Sequence, residues 1–259
     1  MEIAFFASGS SGNCAVVRAG KTAVLLDAGL SVRQTKLRLA ELGVRPDDVR
    51  ALFVTHEHSD HVRSALDLAR AWELPVYATL GTGSAAGFPG PLLLDWRPVR
   101  DGAEVTLGDG DLTVRTTGTP HDGAESVCYT FADSRGRRAG VVTDVGHLSE
   151  RVLAALEDCD VLGLEANHDV ELLRTGPYPA FLKRRILSDV GHLSNDAAAA
   201  GLPRLLGPRT KRVVLLHLSQ HNNTAALATR AVADALAALG ADAPLAAARP
   251  DAATPWYAA

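Results

Sequence analysis

Residues 55–61 of the chain are Thr55-His56-Glu57-His58-Ser59-Asp60-His61, and they directly follow the apolar run Ala51-Leu52-Phe53-Val54. The apolar run is typical of a buried strand, and the dozen residues after the segment are typical of a helix. Histidine and carboxylate side chains together suit zinc, manganese, iron or nickel and disfavour calcium. The segment therefore predicts a metal site at the carboxyl edge of a sheet. The alternative is a polar loop that is rich in histidine by chance.

Length and composition are those of a globular protein. The chain has 259 residues, of which 47% are hydrophobic and 22% charged, so it has enough apolar material for one large domain, here taken as residues 1–259. No membrane span and no signal peptide are expected from the sequence. The cysteines are odd in number and far apart, which predicts reduced, buried thiols in a cytoplasmic protein. They are Cys14, Cys128 and Cys159.

The overall charge of the chain does not indicate a binding partner. The net charge of −4 excludes a global basic field of the kind that marks many nucleic-acid binders. Most of the basic residues are arginine, which suits bidentate contacts with phosphate. Genomic base composition explains the same bias, and the abundance of alanine favours that explanation.

Strands and helices alternate along the chain in a pattern that occurs twice. Helices are predicted from Ser31 to Gly43, after the histidine segment, and at residues 150–156, 179–206 and 224–239. Residues 133–136 are typical of a hairpin turn, and the chain is expected to end in a polar tail. The layout predicts an α/β fold in which two sheets pack face to face with helices outside. The predicted strands are residues 3–7, 15–18, 23–26, 51–54, 76–78, 104–107, 112–116, 126–131, 138–143, 160–164, 212–216 and 244–248.

Further metal ligands are expected elsewhere, because the segment 55–61 holds too many for one tetrahedral ion. Its donors suit two ions about 3.5–4 Å apart that share a water molecule. Three candidates each follow an apolar strand: His121, Asp144 and His217. A lone histidine at a strand end is more often an ordinary surface or core residue, but this ordered set favours a metal site.

This ordered set resembles the metallo-β-lactamase fold superfamily over nearly the whole chain. The resemblance implies an αββα sandwich of two packed mixed sheets flanked by helices. It also implies two divalent ions, zinc or manganese, with iron as a further candidate. One ion would be held by His56, His58 and His121, and the other by Asp60, His61 and His217, with Asp144 as the bridge. Asp27 resembles the early aspartate that orients the histidine ligands from outside the ligand set.

A second motif resembles tRNA-processing ribonuclease Z. Glu165 follows a predicted strand, and Gly191-His192-Leu193-Ser194 comes later in the chain. The resemblance implies that Glu165 holds His192, which protonates the departing oxygen; a poor alkoxide leaving group needs that proton. With Asp60 and Asp144, these two residues are the predicted catalytic set. The alternative is that both are helix-capping or surface residues.

Three short segments resemble the YycJ/WalJ branch of the superfamily, namely residues 8–14, 143–148 and 217–223. Members of this branch are regarded as 5′-to-3′ exonucleases of duplex DNA, with suggested links to mismatch repair. The glycine-serine loop could present N–H groups to a phosphate or be only a tight hairpin. The basic residues at 183–185 could hold a nucleic acid or be a solvated helix face. The candidate substrate contacts are Ser10, Ser11, Asn13, Lys183, Ser219 and Asn222, whereas His147, His168 and His221 receive no role.

The predicted function is that of a metal-dependent phosphodiesterase, a 5′-to-3′ DNA exonuclease with nucleic acid as partner. An RNA-directed nuclease is a weaker alternative, because the chain has no long glycine-proline-rich arm and is too short for a large inserted domain. A hydrolase of small esters, thioesters or lactones would use the same metals, but a thiolate leaving group needs no proton donor. A non-catalytic scaffold is disfavoured by the complete ligand set.

Overall fold

The computed structural model describes residues 1–90 and 94–259. The first half of the chain builds a mixed sheet whose first three strands are antiparallel neighbours and whose later strands run parallel. The strands are β1 (Glu2–Ala7), β2 (Cys14–Ala19), β3 (Thr22–Leu26), β4 (Val49–Phe53), β5 (Val76–Thr79) and β6 (Trp96–Val99). The helices are α1 (Val32–Glu41), α2 (Ser59–Val62), α3 (Ala65–Ala71) and α4 (Leu80–Ala85).

The second half repeats this plan, with antiparallel strands first and parallel strands last. The strands are β7 (Glu104–Leu107), β8 (Leu112–Gly118), β9 (Val127–Asp133), β10 (Arg138–Val142), β11 (Val161–Glu165), β12 (Arg212–Leu216) and β13 (Leu245–Ala247). The helices are α5 (Glu150–Leu156), α6 (Val170–Thr175), α7 (Ala180–Ile186), α8 (Asn195–Leu205) and α9 (Ala225–Ala238). A last strand, β14 (Tyr257–Ala258), returns to the first sheet beside β1.

Three apolar layers separate the sheets and helices. The central layer joins both sheets and includes Phe53, Tyr129 and Val214. A second layer packs the first sheet against helices such as α3, through Leu68. A third packs the second sheet against α5, α8 and α9, through side chains such as Val232. The order helix, sheet, sheet, helix is the predicted αββα sandwich, which is confirmed.

Local sequence explains where several helices begin. Ser31 accepts a hydrogen bond from the backbone N–H of Gln34, whose side chain reaches back to the Ser31 N–H, so the pair forms a capping box. Ser149, Ser194 and Thr224 accept in the same way at α5, α8 and α9. These hydroxyls satisfy N–H groups that the helix itself leaves unpaired, and each side chain could be recognised from the sequence.

The helix predicted after the histidine segment is broken, which the sequence did not indicate. It forms α2 and α3, separated at Arg63 and Ser64. The carbonyl oxygen of His61 accepts from the N–H of Ala28 at 2.6 Å, and the N–H of Ser64 donates to the Ala28 carbonyl at 2.9 Å. These bonds to the segment after β3 replace helical ones, so the break fastens the histidine segment to a neighbouring strand end.

Other elements were missed because their local signals are short. β6 contains Pro98, which a sheet tolerates on an edge strand, and α4 and α6 have only six residues each. The expected polar tail is wrong: Tyr257 is buried in β14, and the indole N–H of Trp256 donates to the Leu42 carbonyl. None of the helices in the described residues is long and apolar enough to cross a membrane.

Candidate metal centre

The predicted ligands meet at one edge of the two sheets, where strands of both halves end. The histidine segment follows β4, and Asp27 is the residue after β3. In the second half, Asp144 lies just beyond β10, and His217 is the residue after β12. His121 lies in the loop after β8. Because the parallel strands of each sheet end on the same edge, residues that are remote in sequence become neighbours.

Three of these strand-end residues have an unusual backbone conformation. Asp27, Asp144 and His217 have φ values of 60°, 56° and 54°, in the left-handed region. Side chains other than glycine enter this region at a cost of the order of 1–3 kcal/mol each, and such residues cluster at functional sites. The three side chains contact other members of the cluster: Asp27 and Asp144 lie beside His61, and His217 lies beside Asp60.

The side chains form two groups joined by Asp144. In each group, ligand atoms lie within 4.8 Å of one another: one group is His56, His58 and His121, and the other is Asp60, His61 and His217. Oδ2 of Asp144 is 3.0 Å from Nε2 of His61, and its Oδ1 is 3.8 Å from Nε2 of His121. Asp144 therefore lies close to both groups, and the structure brings all the predicted ligand residues together at one place.

Each of three imidazole rings has one nitrogen fixed by the scaffold. Nδ1 of His61 is 2.7 Å from Oδ2 of Asp27, and Nδ1 of His121 is 3.0 Å from the carbonyl oxygen of Gly191. Nδ1 of His56 is 3.0 Å from Oγ1 of Thr55. An imidazole that donates through Nδ1 keeps its Nε2 lone pair for a metal. The contacts outside the cluster thus set the tautomer that a ligand needs.

Two buried polar atoms of the cluster have no hydrogen-bond partner among the described residues, and a bound cation would satisfy both. Nε2 of His56 and Oδ2 of Asp144 have no hydrogen-bond partner among the described residues, although His61 lies close to the latter. A buried polar atom without a partner costs roughly 1–3 kcal/mol. The surrounding donors are imidazole nitrogens and carboxylate oxygens, which suit zinc, manganese and iron. The residues therefore fit a divalent metal centre.

The electrostatics of the cluster divide its histidines into two kinds. Burial lowers the pKa values of His56 and His121, which keeps both rings neutral as metal ligation requires. Burial also opposes the charged forms of His61 and His217, but nearby carboxylates outweigh it and raise the pKa of His217 to about 10. The pKa of Asp144 is held well below its ordinary value, despite burial, by His217 and His61.

Glu165 and His192 form a pair beside this cluster. Nδ1 of His192 is 2.8 Å from Oε1 of Glu165, whose other oxygen accepts from the N–H groups of Val145 and Leu193. Burial disfavours the charged form of each partner, but their mutual attraction and hydrogen bond outweigh it. The pKa of His192 is therefore raised and that of Glu165 is lowered to about 2.

The position of this pair suits proton transfer to a group bound at the cluster. Nδ1 of His192 lies 3.6 Å from Oδ1 of Asp144, and the His192 side chain remains 17% exposed. Glu165 is fully buried, and its Oε1 also lies 3.1 Å from Nδ1 of His217. Since Glu165 occupies Nδ1 of His192, Nε2 is the nitrogen left to carry a proton to an incoming group.

Among the candidate substrate contacts of the glycine-serine loop, Asn13 differs from the serines. Ser10 and Ser11 are exposed, whereas Asn13 is buried. Nδ2 of Asn13 lies 2.9 Å from Nε2 of His61 and 3.3 Å from Oδ2 of Asp60. Asn13 therefore touches the candidate ligands themselves, while the two serines face solvent.

Among the described residues, the hydrogen bonds of the other candidate substrate contacts do not involve a predicted metal ligand. Nζ of Lys183 donates to the carbonyl oxygens of Arg174 and Gly176, where it satisfies the end of α6. Oγ of Ser219 accepts from the backbone N–H of Asn222 at 3.1 Å, within one turn. The hydrogen bonds of these side chains serve local structure.

The three histidines without a role have different surroundings. His147 contacts the carbonyl oxygen of Asp189 through Nδ1 at 3.0 Å, and His221 is exposed beside the ring of Tyr178. His168 is 1% exposed, and neither ring nitrogen has a partner among the described residues. Burial lowers its pKa to about 4, so this ring is neutral.

Near the centre, Asp122 escaped notice in the sequence, and Arg185 was noted only as part of the basic run at 183–185. Oδ1 of Asp122 lies 3.6 Å from Nε2 of His58 and 3.4 Å from Nε2 of His121. Arg185 forms an ion pair with Asp122, with Nη2 at 3.1 Å from Oδ1. Asp122 is adjacent to a predicted ligand, and Arg185 belongs to the basic run at 183–185. These sequence signals could have identified both residues as part of the site.

Comparison with known proteins identifies the family. Residues 22–218 match the model of the beta-lactamase superfamily domain. The chain is 38% identical to exodeoxyribonuclease YycJ of Bacillus anthracis over 240 residues, covering 91% of this chain and 89% of the relative. It is also 38% identical to exodeoxyribonuclease WalJ of Streptococcus pneumoniae, over 98% of this chain and 96% of the relative.

The chain belongs to the beta-lactamase superfamily. Within it, the chain is a member of the YycJ/WalJ family, as its motifs predicted. The fold is shared with the short form of human tRNase Z, with a TM-score of 0.62 and 18% identity over 85% of this chain and 93% of that one. The prediction of a hydrolytic enzyme of this superfamily is confirmed.

Replacing Asp27 with asparagine should weaken metal binding about 10- to 100-fold, the usual scale for a residue that orients a histidine ligand. The amide keeps the size of the side chain but no longer offers a carboxylate to Nδ1 of His61. Titration with a competing chromophoric chelator measures the affinity. Asp234→Asn, at an exposed carboxylate on α9, is the matched control. Equal affinities in the two variants would contradict the orienting role.

Proposed function

We propose that the chain is a metal-dependent phosphodiesterase that degrades DNA exonucleolytically from the 5′ end, with a role in DNA repair. The observation that carries the proposal is the contact of 2.8 Å between Glu165 and His192 beside the metal centre. The names of the YycJ and WalJ relatives support DNA as the substrate. The two ligand groups support a pair of divalent ions, zinc or manganese.

Different residues of the chain contribute to different parts of the hydrolysis reaction. When bound, two divalent ions would lower the pKa of a water molecule and stabilise charge on the phosphoryl oxygens. The two groups of candidate ligands, with Asp144 close to both, would hold these ions at the sheet edge. Attack of water on phosphorus breaks the bond to the 3′-oxygen, and the electron pair of that bond passes to this oxygen.

His192 completes the reaction by supplying a proton. Its Nε2 gives the proton to the departing 3′-oxygen, and the ring recovers one from solvent through its exposed edge. Glu165 keeps the ring charged and aimed, because its carboxylate occupies Nδ1. The products are a nucleoside 5′-monophosphate with a free 3′-hydroxyl and a strand with a 5′-phosphate.

A panel of substrates tests this proposal. Purified, manganese-loaded protein is incubated with single- and double-stranded DNA and RNA, with a thioester and with a lactone. The expected result is release of nucleotides from DNA with little hydrolysis of the thioester or lactone, for which a proton donor is unnecessary. Hydrolysis of a small ester, thioester or lactone without cleavage of DNA would refute the proposal, and preferential cleavage of RNA would reassign the substrate.

Two further proposals concern the molecule as a whole. Residues 1–259 would act as a single domain, because the central apolar layer draws on both halves of the chain. A cytoplasmic location is supported by three free, buried cysteines, since burial raises the pKa of Cys128 to about 12 and suppresses thiolate chemistry.

A further inference from the structure

A polar trough lies between β8 and α5 and borders the loop that carries His121. Beside His121 lies a cavity of about 530 Å³, walled by the loop after β8 and by Ser149 and Arg151. A second cavity of about 360 Å³ follows and is lined by Thr117, Arg138 and the same Arg151. Because Arg151 borders both cavities, they are parts of one surface feature, named here the β8–α5 trough.

The length of the trough matches several nucleotides. Its two parts are lined by Thr117 and His121, which are four residues apart, so at most about 14 Å of chain separates them. One strand of a nucleic-acid duplex carries a phosphate for each 3.4 Å or so of helix axis. A strand whose scissile phosphate sits at the metal centre would therefore place phosphates over the trough within about four nucleotides.

The trough reverses the charge of the molecule as a whole. Three arginines line the trough, Arg115, Arg138 and Arg151, opposite two acidic residues, Asp101 and Glu125. The chain as a whole has a net charge of −4. The side chains of Arg115 and Arg151 are 57% and 66% exposed. Each is paired with a carboxylate, that of Glu104 at 3.6 Å and that of Asp101, but keeps further N–H donors for a ligand. A cluster of arginines around a cavity favours an anion with several oxygens, such as a phosphodiester.

Asp101 positions Arg151 without occupying all of its donors. Nη1 of Arg151 forms an ion pair with Oδ2 of Asp101, and Oδ1 of Asp101 accepts from the N–H of Gly118 at 2.9 Å. Guanidinium has five N–H donors, and this ion pair uses only one nitrogen. The remaining donors of a fixed arginine can bind phosphate with less loss of side-chain entropy than those of a freely moving one.

The wall next to the metal centre has uncommitted hydrogen-bonding groups. Ser126 is 7% exposed, and its hydroxyl has no hydrogen-bond partner among the described residues. The hydroxyl of Thr119 is in the same situation, and both residues line the cavity beside His121. Both hydroxyl oxygens lie beneath the surface of the wall, so a ligand in the trough contacts them only if the wall shifts.

We propose that the β8–α5 trough binds the sugar-phosphate backbone of the nucleic-acid strand beyond the scissile bond. Arg151 is the main phosphate contact, and Arg115 meets a phosphate farther along. The inference rests on the proposed function, since it names the path that the substrate of that site takes. It also explains how a chain with net negative charge binds a polyanion.

The test compares Arg151→Ala with Arg230→Ala, at an exposed arginine of α9 remote from the trough. With a 20-base-pair DNA substrate, Arg151→Ala should raise KM about tenfold, leave kcat within about twofold and reduce the slope of log KM against log salt by about one. The increase in KM should disappear with a dinucleotide, which is too short to reach the trough. Arg151→Lys should restore part of the affinity through its charge.

The possible outcomes distinguish a failure of the trough proposal from a failure of the proposed function. If the wild-type protein cleaves DNA but Arg151→Ala has the KM and salt slope of Arg230→Ala, the trough is not the path. An equal loss with DNA and dinucleotide would place the effect of Arg151 at the metal centre and also overturn the inference. If the wild-type protein cleaves no nucleic acid, the proposed function fails, and fluorescence anisotropy with labelled DNA still decides whether Arg151 contributes to binding.

Discussion

Replacement of His192 with alanine should lower kcat on DNA at least about a hundredfold, the usual scale for the loss of a general acid, while the bound metal is retained. The ring lies beside the ligand groups, and its Nδ1 is 2.8 Å from Glu165, so its loss removes a proton donor without removing a predicted ligand. Steady-state rates and elemental analysis of the same preparation measure the two quantities.

The choice of substrate distinguishes proton donation from a structural effect of this substitution. An aryl phosphodiester with a p-nitrophenolate leaving group departs without protonation, so its hydrolysis should change much less in the His192→Ala protein. Glu165→Gln should show the same selectivity, because the amide lacks the negative charge that raises the pKa of His192, and its NH2 group cannot accept from the N–H groups of Val145 and Leu193. An unchanged rate on DNA, or equal losses with both substrates, would contradict the assigned role.

Replacement of Asp144 with alanine should remove bound metal and lower kcat by about three orders of magnitude, since a catalytic metal supplies several kcal/mol of transition-state stabilisation. Asp144 is the residue that reaches both ligand groups, with Oδ2 at 3.0 Å from His61 and Oδ1 at 3.8 Å from His121. Elemental analysis after gel filtration measures the metal content.

Asp144→Asn is the informative companion, because asparagine also tolerates the left-handed backbone found at this position, where φ is 56°. It removes the negative charge without the backbone penalty, so a loss of metal in both variants assigns the effect to the carboxylate. Asp234→Asn on α9 controls for the loss of a surface charge. Two fully occupied ions in Asp144→Ala would refute the bridging role.

The sequence predicted the sandwich because its buried strands are short apolar runs with turns or helices between them. β7, β12 and α5 have the predicted bounds, and the apolar β11 and β12 pair in the parallel part of their sheet. The sequence could not predict the break between α2 and α3, because the hydrogen bonds to Ala28 that cause it come from another strand end. The two residues of β14 are likewise defined by pairing with β1.

The candidate ligands could be found because each one comes within three residues of the end of an apolar strand or belongs to the dense segment 55–61. Their surroundings could not, because these depend on contacts between remote segments. Asn13 lies against His61, 48 residues away, and Nδ1 of His121 is fixed by the Gly191 carbonyl, 70 residues away. A backbone oxygen carries no residue-type signal. Lys183 shows the converse. It belongs to the basic run at 183–185, yet its side chain donates to backbone carbonyl groups at the end of α6.

The direct test of the central claim uses a duplex DNA with a 5′-phosphate and different fluorophores near its two ends. The metal-loaded protein and the His192→Ala protein are followed in parallel by denaturing electrophoresis. We expect early release of short products that carry the 5′-proximal label and persistence of the 3′-proximal label on shortening strands. Both reactions should be nearly lost in the variant. Intact DNA with the wild-type protein, or an undiminished rate with the variant, would contradict this expectation.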